Sequence, residues 1–122
     1  GKRDPGEATI DTAVRELAEE AGYQAQAWAF LTRIYPAIGI ADELMDIWLC
    51  KGLSRVKQRL DEGERLQLHW VSIGNLLEAI AKHQVPDVKT QIASLWLARI
   101  HDGLAEWPTF HAASYWKDNP PI

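Results

Sequence analysis

Cysteine is nearly absent from this 122-residue sequence: Cys50 stands alone. No disulfide can form within the chain, and a single thiol fits a reducing cytoplasm. No apolar run approaches the roughly 20 residues that a membrane helix needs, and no leader pattern opens the chain, so no membrane role is expected. A basic excess is missing too: 13 Lys and Arg face 17 Asp and Glu, a formal charge of −4. That leaves no electrostatic footprint for nucleic acid. An acidic protein that handles an anionic substrate needs cations between the two, which points toward metal. An initiating Met is also lacking. Residue 1 is Gly and the first recognisable element starts close behind it, so the chain is expected to be cut on its N-terminal side. What is present is ordinary for one globular domain over 1–122, with 47% hydrophobic and 25% charged residues.

Along residues 8–21 the apolar side chains Ile10, Ala13, Val14, Leu17 and Ala21 recur at helical spacing, and Gly22 supplies a stop. Two runs at 26–35 and 44–53, rich in large apolar residues, read as strands joined by an ordered loop over 36–43. Residues 54–65 are charged and read as a solvated loop, and 66–71 as a third strand. Ser72 is placed to cap a helix over 73–82 with Leu76, Leu77 and Ile80 inward. Asp87 is placed to cap a longer one through about residue 105, with Ile92, Leu95, Trp96, Arg99 and Ile100 on one period. Residues 106–122 show no period and read as a tail laid on the domain or on a partner. Mixed strands and helices give an α/β or α+β class.

The first helix also carries Glu16, Glu19 and Glu20, whose i, i+3, i+4 spacing puts three carboxylates on nearly one face. Like charges there repel, and the helix C-terminus disfavours anions. A divalent cation with a preference for hard oxygen ligands, Mg²⁺ or Mn²⁺, would remove the conflict. For acidic clusters in general the commoner explanation is a solvated face. The surrounding residues change that balance. GKRDPGEATIDTAVRELAEEAGY fits G-x5-E-x7-R-E-U-x-E-E-x-G-U, where U is bulky and apolar, through Gly1, Glu7, Arg15, Glu16, Leu17, Glu19, Glu20, Gly22 and Tyr23. Chance agreement is on the order of one in a billion per start site.

Residues 1–23 thus resemble the Nudix box, and the chain is similar to the Nudix hydrolases. The resemblance implies an α/β/α sandwich with a mixed sheet, here without the N-terminal strands. It implies Glu16 and Glu20 as chief metal ligands with Glu19 beside them, and Gly1, Glu7, Arg15 and Gly22 as the frame of the box. Beyond the box, Tyr35-Pro36-Ala37-Ile38-Gly39-Ile40-Ala41-Asp42-Glu43 resembles the substrate loop of the ADP-ribose pyrophosphatase branch, and Asp61-Glu62-Gly63-Glu64 resembles its acidic catalytic loop. From that branch Glu43 would help place the terminal ribose or the catalytic water, and Gly39 would bind substrate with it. Glu62 and Glu64 would be catalytic, one as base and one (Glu64) completing the metal site, with Glu19 an alternative base. Ala37-Ile38 stands where the branch has Ser-Pro, which weakens ADP-ribose as substrate more than diphosphate hydrolysis itself. The resulting expectation is a cytoplasmic, Mg²⁺- or Mn²⁺-dependent homodimer that hydrolyses a nucleotide sugar, first of all ADP-ribose. Alternatives are GDP-mannose or NADH as substrate, or a nucleotide-sensing module without turnover. His69, His83, His101 and His111 show no metal spacing, the six tryptophans read as core and interface, and Cys50 reads as an inert buried thiol.

Overall fold

A computed structural model describes residues 1–60 and 65–122. Helix α1 spans Thr9–Glu16, and the chain then widens into a π turn over Leu17–Ala21. The continuous α-helix expected over 8–21 is therefore broken where Glu16, Glu19 and Glu20 crowd together. Gly22 N–H reaches both Ala18 O and Leu17 O, and such π turns recur at functional sites. Gly22 has φ +71°, and a Cβ there would lie 3.1 Å from Val56 O. Both the left-handed backbone and the neighbouring chain demand glycine.

Strands β1 (Tyr23–Ile34) and β2 (Met45–Arg55) form an antiparallel hairpin, in register from Tyr23↔Arg55 to Ile34↔Met45. Leu31 is the extra residue of a bulge between Phe30↔Trp48 and Thr32↔Ile47. Helix α2 covers Ile73–Ala81 and α3 covers Val88–His101; Ser72 Oγ accepts from Asn75 N–H at 3.1 Å and Asp87 from Thr90 N–H at 2.9 Å, as caps should. The α/β class expected from the sequence holds. Three details do not. Residues 66–71 form no strand, so the sheet among the described residues has two strands; Leu66, Leu68 and Trp70 stay 48%, 51% and 70% exposed. Helix α3 buries Ser94 and Ile100 and leaves Leu95, Trp96 and Arg99 exposed, because it carries apolar residues on both sides and periodicity alone does not choose between them. Finally, the tail contains a short helix α4, Ala113–Asp118.

That tail lies on the domain. His111 exchanges two backbone hydrogen bonds with Trp28 (2.7 and 2.9 Å), and Trp116 Nε1–H donates to Trp28 O at 2.8 Å. Trp116 meets Trp48 edge-on at 5.2 Å, and Trp48 meets Phe30 at 5.5 Å. The buried Trp48 N–H has these rings beside it and no hydrogen-bond acceptor among the described residues. The buried apolar residues among those described are Ile10, Trp28, Ala29 and Ile100. Trp70, Trp96 and Trp107 are exposed. Cys50 is half-buried, and that burial pushes its thiol pKa up, as suits an inert group.

One polar knot ties α1 to the hairpin. The Asp46 side chain is closed to solvent and accepts from Arg33 Nε (2.6 Å), Arg33 Nη2 (2.9 Å) and Thr9 Oγ1 (2.6 Å). Burial alone would raise its pKa; the bonds from Arg33 and Thr9 outweigh it and hold the carboxyl low. Asp46→Asn is expected to destabilise the fold by about 3 kcal/mol, the lower end for breaking a buried pair, since Arg33 keeps some contact with water. A urea unfolding midpoint indistinguishable from wild type would show the knot to be dispensable.

Candidate active site

The box residues assemble around one guanidinium. Glu7 Oε1 accepts from Asp4 N–H (3.1 Å), Thr12 Oγ1 (2.7 Å) and Arg15 Nη2 (3.0 Å), while Oε2 accepts from Arg15 Nε (3.0 Å). Arg15 Nη2 also donates to Lys2 O at 2.8 Å. Its Nη1 donates to Glu16 Oε1 at 3.1 Å and to Glu19 Oε2 at 3.2 Å. One arginine thus fixes the loop through Glu7 and Lys2 and steadies two of the three clustered carboxylates. The Arg15 bond, helped by Thr12 and Asp4 N–H, lowers the Glu7 pKa to about 2, and the Glu7 bond raises that of Arg15. Gly1 closes the other side: a Cβ there would overlap the Glu16 carboxyl.

The sign of the pH effect follows. A carboxylate whose folded pKa is depressed stabilises the fold fully above its usual value of 4.5, and the contribution is lost as pH falls toward 2. The difference in melting temperature between wild type and Glu7→Gln should be constant above about pH 5 and shrink between about pH 4.5 and 2. A difference that persists unchanged at pH 2 would contradict the pairing.

Glu20 belongs to the same turn, and its backbone carbonyl accepts from Gln58 Nε2. Val56 N–H donates to Gly22 O (2.9 Å) and Arg59 N–H to Glu19 O (2.8 Å), so residues 56–59 are stitched along the end of the box helix. Glu62 and Glu64 follow directly in sequence and lie outside the described residues. Among the described residues no three His, Cys, Asp or Glu form a ready cage for a metal. Mg²⁺ does not require one, since it keeps several waters and binds through one or two carboxylates plus substrate phosphates. The hard-oxygen donors Glu16, Glu19 and Glu20 fit Mg²⁺ or Mn²⁺ in chemistry.

A cleft of about 750 Å³ opens between α1, the start of β2 and helices α2 and α3; Gly1, Arg3, Thr12, Glu43, Asp46 and Lys89 are among its lining residues. Glu43 therefore faces the cleft, whereas Gly39 is exposed in the 36–43 loop and does not line it. None of Glu16, Glu19 and Glu20 lines the cleft either; the two regions meet at Gly1, which borders the cleft and abuts Glu16. The sequence reading missed Thr12, which occupies an open position of the box pattern, and the Arg33–Asp46 pair. The latter had a signal in opposite charges facing each other across an antiparallel hairpin.

Comparison with known proteins bears on the family and the fold. The profile of the family described as NUDIX domain matches residues 1–91. An ADP-ribose pyrophosphatase of Bacillus subtilis (strain 168) is 36% identical over 99 residues, covering 80% of this chain and 54% of that protein. A methanol dehydrogenase activator of Bacillus methanolicus is 35% identical over 99 residues, with the same 80% and 54% coverage. The chain thus spans about half the length of these curated relatives. Among solved structures, an ADP compounds hydrolase superposes with a TM-score of 0.74 at 23% identity, over 88% of this chain and 58% of that one. That likeness speaks for the fold.

Proposed function

The chain belongs to the Nudix family, and we propose that it hydrolyses ADP-ribose or a related ADP-sugar to AMP and a sugar phosphate with Mg²⁺ or Mn²⁺. The observation that carries this is the Arg15 network, which holds Glu16 and Glu19 on one guanidinium, with Glu16 against Gly1, a residue that borders the cleft. In this reading Glu16 and Glu20, with Glu64, would hold the cation, which would neutralise charge on the diphosphate. Water attacks one phosphorus, the bond from that phosphorus to the bridging oxygen breaks, and the water proton passes to Glu62 or Glu64, with Glu19 as the alternative acceptor. Glu43, which lines the cleft, would help place the sugar end or the attacking water. A cleft of about 750 Å³ is of a size for a nucleotide-scale ligand.

A second reading has a specific support: Ala37-Ile38 stands in the substrate loop where the ADP-ribose branch has Ser-Pro, and the activator is 35% identical against 36% for the pyrophosphatase. GDP-mannose or NADH would then be the substrate, or the chain would sense nucleotide without turnover. We further infer a homodimer, on the strength of exposed apolar side chains such as Leu66, Trp70 and Trp107, and a cytoplasmic setting from the single thiol, Cys50. The test is a substrate panel with and without Mg²⁺, with products separated by chromatography. AMP released from ADP-ribose only with the cation is the expected result. Preference for another nucleotide shifts the substrate, and binding without product release overturns hydrolysis.

A further inference from the structure

Thr12 occupies a position that the box pattern leaves open, yet it is 6% exposed and makes the shortest of the contacts to Glu7. Its single hydroxyl proton has two acceptors in reach, Glu7 Oε1 at 2.7 Å and Ala8 O at 3.4 Å. The shorter, charged acceptor takes it, since bonds to ionised groups are the shorter and stronger kind. Glu7 Oε1 then has a donor from its own loop (Asp4 N–H), one from α1 (Thr12) and one from Arg15. Arg15 could pivot about a carboxylate held only from its own side. The Thr12 bond removes that freedom by pinning Glu7 to the helix that also carries Arg15, five and eight residues along. Arg15 passes the constraint to Glu16 and Glu19 through Nη1.

We propose that Thr12 is a positioning residue for the cation: its hydroxyl orients Glu7, Glu7 orients Arg15, and Arg15 sets the Glu16 and Glu19 carboxylates. The inference rests on the metal reading above, and the experiment separates the two. Titration of the chain with Mn²⁺, read by the electron paramagnetic resonance of the free hydrated ion, measures binding without any turnover. Thr12→Val keeps the branched shape and removes the hydroxyl; Thr12→Ser keeps the hydroxyl and removes a methyl. Outer partners that orient metal ligands carry about 10–100-fold in affinity. Because Thr12 acts through two intermediaries, Thr12→Val is expected to weaken Mn²⁺ binding by about tenfold, with Thr12→Ser within about twofold of wild type.

Equal binding by wild type and Thr12→Val overturns the inference, as does equal weakening by both variants, which would make the hydroxyl irrelevant. Failure of wild type itself to bind Mn²⁺ overturns the metal reading and the inference with it. Should Thr12→Val not fold, by circular dichroism, Thr12→Ala reads the same loss with less volume to accommodate.

Discussion

Replacing Glu20 by Gln is expected to lower kcat for the preferred nucleotide by at least about a hundredfold at ordinary Mg²⁺ concentrations. Outer partners of metal ligands carry 10–100-fold, and a ligand itself should carry no less. Gln keeps the size of the side chain and one carbonyl oxygen, but it loses the charge that binds a hard cation. The fold should survive the change. The Glu20 backbone carbonyl still accepts from Gln58, and Gly22, Val56 and Arg59 still stitch the end of the box helix to the following segment. Excess Mn²⁺ should restore part of the rate through Glu16, raising the apparent metal requirement more than it changes KM for nucleotide. Near-normal turnover by Glu20→Gln at ordinary Mg²⁺ would sink the metal assignment.

How far this was legible in the sequence depends on the range of the interaction behind each feature. The caps at Ser72 and Asp87 rest on neighbours three residues away, and the two strands carry their own apolar pattern; both form as expected. The Glu7–Arg15 pair, eight residues apart on loop and helix, joins two positions that the box pattern marks as its frame. Residues 66–71 show what local pattern cannot supply: Leu66, Leu68 and Trp70 alternate correctly, but a strand needs a partner for its ladder, and none is at hand among the described residues. Helix α4 was invisible because its anchor, Trp116 on Trp28, spans 88 positions. The π turn depends on how the end of the helix accommodates Gly22 and the passing segment at Val56, a contact 34 positions away in the chain that periodicity does not encode. Glu43 and Gly39 were assigned to substrate from the resemblance alone; Glu43 lines the cleft and Gly39 is exposed in the 36–43 loop, and a role toward substrate is a proposal for both.

The proton acceptor should be found next in sequence to the stitched segment. Arg59 N–H is bonded to Glu19 O, and the three residues of chain from Arg59 to Glu62 can span at most about 10 Å, with about 18 Å to Glu64. Side chains on such a short tether can reach the end of the box helix. We expect Glu62→Gln and Glu64→Gln to differ. The one that removes the base should lose about 10²–10⁴-fold in kcat, the range for a positioned proton acceptor. Its rate should not recover with added metal, and the acidic limb of its pH–rate profile should vanish with the group that made it. The other should lose less and recover partly as Mn²⁺ is raised, because a weakened ligand is compensated by mass action whereas a missing base is not. Should both variants keep wild-type rates, residues 61–64 are a solvated turn and the base is Glu19 or Glu43. Of these, Glu19 is the better placed, since its carboxylate already sits on Arg15 beside Glu16, while Glu43 lines the cleft, which Glu16 does not.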